Sequence, residues 1–162
     1  MLRRPCAECR FDAREIAFVE VPGLVRENAA AWPPVLERPD AVQRSRPDRW
    51  SPLEYACHVR DVFRLFDTRL GMMLATDGVR FPNWDQDETA VTDRYGEQDP
   101  SIVAVELVAA GDAIAASFAA VTDDQLGRRG IRSDGAEFTI ETFARYFVHD
   151  PVHHLWDVGA AG

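Results

Sequence analysis

The stretch that opens at Trp50-Ser-Pro-Leu-Glu constrains this chain most, because it fixes where a long helix begins and which face it buries. Ser51 suits the N-cap, Pro52 suits the first helical position, and Glu54 completes a capping box. Tyr55, Val59, Val62, Phe66 and Leu70 then recur at helical spacing with His58 beside the stripe, and Asp77-Gly78 stops the segment. The spacing predicts a helix from Ser51 to about Ala75 whose apolar face must find partners.

Three partners follow from the same reasoning. Residues 20–38 carry Leu24, Val25, Ala29 to Ala31 and Leu36. Pro33-Pro34 is expected to kink or split that helix, since a mid-helix proline costs about 3 kcal/mol. Asp99-Pro100 starts a helix with Val103, Leu107, Ala110, Ile114, Phe118 and Val121 on one face. Thr139 caps the last one, which runs through Ile140, Phe143, Ala144, Phe147 and Val148 to about Asp157. Residues 78–99 read as one long loop, of a length that is often functional, and residues 122–137 as polar, Gly-rich turns. No strand pattern emerges. The expected fold class is all-α, a four-helix bundle with a long crossover loop.

Composition narrows the functional classes. At 162 residues the chain is expected to be one domain. A net charge of −9, spread along the chain, repels nucleic acid and anionic membranes, so neither is expected as a partner. No apolar run approaches the roughly 18 residues of a membrane span and no signal peptide opens the chain, which points to a cytoplasmic location. All 18 basic residues are arginine, so lysine Schiff-base and lysine general-base chemistry are unavailable. Cys6, Cys9 and Cys57 are an odd set and no disulfide framework.

The four histidines carry the functional signal. His149 and His153 are an i, i+4 pair, so their imidazoles lie one turn apart on one side of the last helix. With His58 from the earlier helix they make a three-nitrogen set that leaves metal positions open. Neutral imidazoles do not cancel a divalent charge, so such a metal stays a strong Lewis acid. A helical wheel gives a second pairing. Phe143, Phe147 and Ile140 share one face, and His154 falls nearer to it than His149 or His153, one turn from Asp150. Asp150 and His154 with His58 are therefore an alternative mixed set. Asp61 and Glu54, one turn either side of His58, are candidates to orient it. Trp84 with Asp85, Asp87 and Glu88 could wall a substrate pocket. Cys6-Ala-Glu-Cys9 is a lone C-x-x-C that leaves reduced thiols, redox chemistry and one half of a metal site all open. Cys57 points away from its neighbour His58 and reads as a core thiol.

Trp50-Ser-Pro-Leu-Glu-Tyr-Ala-Cys-His58-Val-Arg-Asp, followed by Val148-His149-Asp-Pro-Val-His153-His154-Leu-Trp-Asp, resembles the DinB/YfiT-like bundles over residues 22 to 158. The resemblance implies a divalent metal (zinc, nickel, iron or manganese) held by His58, His149 and His153. It also implies a small-molecule substrate, with a thiol such as mycothiol as co-substrate of a transferase; metal-dependent hydrolases and non-catalytic metal-binding bundles are the alternatives. Residues 20–158 would form the bundle domain, and residues 1–19 a separate N-terminal segment with the C-x-x-C. The chain departs from the pattern at His154, where an arginine often stands, and at Pro151 between the two ligands. The last helix is apolar on two sides, with Phe143 and Phe147 on one and Tyr146 and Trp156 on the other. That excess, and the habit of relatives, gives a homodimer as the expected assembly.

Overall fold

In the computed structural model, which describes residues 4–160, four long helices pack around one apolar core. They are α1 (Val21–Leu36), α2 (Pro52–Ala75), α4 (Pro100–Ala119) and α5 (Ile140–Asp157), with a short α3 (Gln86–Thr92) in the crossover. α4 packs on α1 and α2, and α5 also meets both.

α2 starts where its capping signal places it. The Ser51 hydroxyl accepts the Glu54 N–H at 3.2 Å, and the Ser51 N–H donates back to Glu54 Oε2 at 2.8 Å. Glu54 also accepts the Arg44 guanidinium at 2.8 Å. Burial pushes its carboxyl up, but the bonds from Arg44 and Ser51 outweigh burial and hold it below the ordinary value. A depressed carboxylate contributes stability that is present above its unfolded pKa, about 4.3, and lost as pH falls through the folded one. Glu54→Gln is therefore expected to lower unfolding stability by about 1–2 kcal/mol at neutral pH. In denaturant titrations the deficit should shrink below pH 4.

The core is aromatic where α2, α4 and α5 meet. Phe147 lies 5.1, 5.6 and 5.9 Å from the rings of Phe66, Phe118 and Phe63. Between α1 and α4 the contact is closer. A Cβ on Gly111 would sit 2.6 Å from the Ala29 Cβ and 3.2 Å from the Phe63 ring. The Ala29 Cβ is fixed to its backbone, so only a shift of the helices could admit a methyl group. Gly111→Ala should thus destabilise by about 1–2 kcal/mol in thermal or urea unfolding, although alanine favours helix by about 1 kcal/mol.

Three expectations are corrected. Residues 78–99 and 122–137 are not featureless: besides α3 they supply β1 (Val79–Phe81) and β2 (Arg129–Arg132), and β3 (Glu137–Thr139) leads directly into α5. β1 pairs parallel to β2, with Val79 opposite Gly130, and β2 pairs antiparallel to β3, with Gly130 opposite Phe138. Such short strands carry too few residues for a period-2 pattern to register. α1 is not split by Pro33-Pro34: the helix continues to Leu36, and the loss is confined to the two bonds these prolines would have donated to the carbonyls of Ala29 and Ala30. α4, finally, is long and apolar enough to cross a membrane by length and composition. Its buried residues, among them Val103, Leu107, Ile114 and Phe118, instead serve the core.

On the side of α5 that carries Tyr146 and Trp156, Tyr146 packs on Phe138 with ring centroids 5.1 Å apart. Phe11 packs on His149 with ring centroids 5.6 Å apart, and Arg145 donates to the Ile16 carbonyl at 3.0 Å. Trp156 stays 41% exposed.

Candidate metal centre

α5 offers two i, i+4 pairs displaced by one residue, Asp150/His154 and His149/His153. One residue is about 100° of helical rotation, so the pairs face different neighbours. Asp150 and His154 turn toward α2 and form a cluster with His58; His149 and His153 turn toward the N-terminal segment and meet Cys6 and Cys9. The three histidines His58, His149 and His153 are therefore divided between two clusters among the described residues.

In the first cluster, His58 Nε2 lies 3.1 Å from Asp150 Oδ1, and His154 Nε2 lies 3.6 Å from the same oxygen. Two donors about 2.1 Å from one ion are about 3.0 Å apart at right angles and about 3.4 Å apart at tetrahedral angles, so these separations fit ligands of a single ion with small adjustments. The donor set, two imidazoles and a carboxylate, is one that divalent transition metals accept. His58 is fully buried; its ring is stacked 5.3 Å from Trp84 and lies 5.4 Å from Trp50. Its Nδ1 makes no hydrogen bond, so packing and the Asp150 contact alone orient it. His154 is oriented by a carboxylate, with Nδ1 2.9 Å from Asp157 Oδ2, and Asp157 Oδ1 in turn lies 3.5 Å from Arg49. Burial pushes the Asp150 carboxyl up, but the His58 hydrogen bond and the charges of His58, His154 and His149 outweigh it and hold the group below its ordinary value. Asp157 is depressed in the same way, with His154 as the main opposing influence. Asp150 is thus a carboxylate at neutral pH, the form that binds a cation.

Sequence reasoning named Trp84 as a wall of the site, and it is one. The Asp85 side chain caps α3 through the N–H groups of Asp87 and Glu88, and Asp85 and Glu88 line a separate groove with Trp84. The candidate orienting carboxylates do not reach His58. Glu54 is held by Arg44, and Asp61 binds Arg60 and the Tyr95 hydroxyl. Asp157 and Trp50 were missed in those roles. The i, i+3 spacing of His154 and Asp157 was the available signal for the first. Cys57 is a core thiol, pushed up to about 12 by burial.

Beside the cluster lies a cleft with a volume near 120 Å³, whose lining includes Arg69, Trp84, Arg132, Tyr146, His149 and Asp150. Arg69 is 5% exposed, donates to the Pro82 carbonyl at 2.7 Å and packs on the Phe81 ring. Burial, and then the charge of Arg132, disfavour its cationic form. Arg132 is paired with Asp134, but Arg69 has no carboxylate within ion-pair distance among the described residues.

A family model described as the DinB superfamily matches residues 23–158. Among solved structures, YfiT from Bacillus subtilis is similar, with a TM-score of 0.77 and 17% identity over 90% of this chain and 89% of that one. That protein is described as a probable metal-dependent hydrolase with an unusual four-helix bundle topology. At this identity the likeness shows the fold alone. No curated protein matches the sequence.

Proposed function

The chain belongs to the DinB superfamily, and on that footing we propose that it is a metal-dependent hydrolase acting on small anionic esters or amides. The observation that carries the reading is the His58–Asp150–His154 cluster at the wall of the arginine-lined cleft. Three protein donors leave coordination positions open, as catalytic rather than structural sites do. His58, Asp150 and His154 would hold a divalent ion, which would supply Lewis acidity there. The protein residues do the rest. Asp150 and His154 present their donors from one rigid helix, and Asp157 fixes the His154 ring and its tautomer. Trp84 and Trp50 exclude water from His58. Arg69, buried without a carboxylate, is placed to bind an anionic group and hold the scissile bond toward Asp150. The likeness to the fold of YfiT supports the reading.

A thiol-dependent transferase is the second reading. Cys57 is too weakly acidic to serve, so the thiol would come from solution, as mycothiol would. Both readings are tested on tag-free protein loaded with zinc, manganese or nickel. Hydrolysis of a carboxylate-bearing nitrophenyl ester should rise in proportion to metal content and fall by at least about 100-fold in Asp150→Ala. It should also decline in acid, since a protonated imidazole cannot ligate. Transfer of mycothiol to an electrophile without ester hydrolysis would establish the second reading instead. Metal binding with neither activity would mark a binding protein.

A further inference from the structure

We infer that Cys6, Cys9, His149 and His153 form a second, closed zinc site that staples the N-terminal segment to α5. The four donor atoms all lie within 4.8 Å of one another, drawn from two ends of the chain. Cys6 Sγ is 3.7 Å from His153 Nδ1, and Cys9 Sγ is 3.6 Å from His149 Nε2. Zinc–sulfur and zinc–nitrogen bonds of about 2.3 and 2.05 Å at tetrahedral angles set an S···N edge of about 3.6 Å, so these two edges already match it to about a tenth of an ångström. The ligand spacings, C-x-x-C and H-x-x-x-H, are those of structural zinc sites.

The surroundings favour the same assignment. The chain doubles back after the cysteines, with the Cys6 N–H bonded to the Phe11 carbonyl at 2.9 Å and Arg10 at a positive φ of 62°. On the far side of the His153 ring, Nε2 faces Glu8 at 3.5 Å and Asp157 at 3.7 Å, the position from which a carboxylate orients a ligating imidazole. Zinc binding would release one proton from each cysteine thiol and none from the neutral imidazoles. With four protein donors there is no open position, so this ion would hold structure and not react.

The site does not depend on the hydrolase reading, and sulfur ligation separates the two ions. Cobalt(II) added to the full chain under reducing conditions should give sulfur-to-cobalt charge-transfer absorption in the near ultraviolet. The bands should persist in His58→Ala, vanish in the Cys6→Ser/Cys9→Ser double variant, and be displaced by zinc. Zinc per chain should fall by one equivalent in the double variant, and chelator should lower the melting temperature of the parent more than that of the variant. With zinc bound, Cys6 and Cys9 should resist a thiol reagent that reaches them after chelation. The inference is overturned if cobalt-loaded parent protein lacks the sulfur bands, if the double variant retains them, or if the two thiols react equally with and without zinc.

Discussion

His154→Ala and Asp150→Ala are expected to weaken binding of divalent metal at the bundle site by at least about 100-fold and to abolish metal-dependent turnover, while His149→Ala retains both. Each of the first two removes one donor of the His58–Asp150–His154 set, whereas His149 Nε2 points toward Cys9. Calorimetric metal titration separates these outcomes when done with Cys6 and Cys9 both replaced by serine, so that only the bundle site is counted. Asp157→Asn serves as the graded case. It leaves all three donors in place but removes the charge that orients His154, and a carboxylate in that position is worth about 10- to 100-fold in affinity. If His149→Ala loses turnover while His154→Ala keeps it, the working set is His58, His149 and His153, and α5 must rotate relative to α2 to assemble it.

Phe147→Ala is expected to lower unfolding stability by about 3–5 kcal/mol, the largest effect of any single truncation considered. The ring is fully buried and stands between Phe63 and Phe66 of α2 and Phe118 of α4, so its removal opens a void that three helices line. The side chains around it are fixed by their own packing and cannot collapse far. Denaturant unfolding of the variant, monitored by circular dichroism, measures the loss. A deficit below 1 kcal/mol would mean that the bundle relaxes around the site. Phe147 also lies one turn before the Asp150/His154 pair, so metal affinity should weaken along with stability.

The helical frame was legible because its signals are local. The capping box at Ser51 and Glu54, the Asp99 and Thr139 caps and the apolar stripes each lie within a few residues, and α2, α4 and α5 begin where those signals place them. The resemblance to the DinB/YfiT-like bundles was legible for a related reason, since each of its two motifs, residues 50–61 and 148–157, is contiguous in the chain. Helix α3 and the three short strands were not. Elements of three to seven residues carry too little periodicity to stand out, and β1 and β2 meet across a sequence gap that no local pattern bridges.

The chain by itself determined which residues could ligate and that α5 carries two adjacent i, i+4 pairs. Only the tertiary structure decided how they are shared out. The wheel placed His154 nearer the apolar face, one turn from Asp150, and packing on α2 brings that pair to His58. The neighbouring face is turned by one residue's rotation and receives Cys6 and Cys9, more than a hundred positions away. A rotation of about 100° is fixed by helix geometry, but what waits at each angle is set by how the helices and the N-terminal segment pack, and that depends on contacts between distant residues.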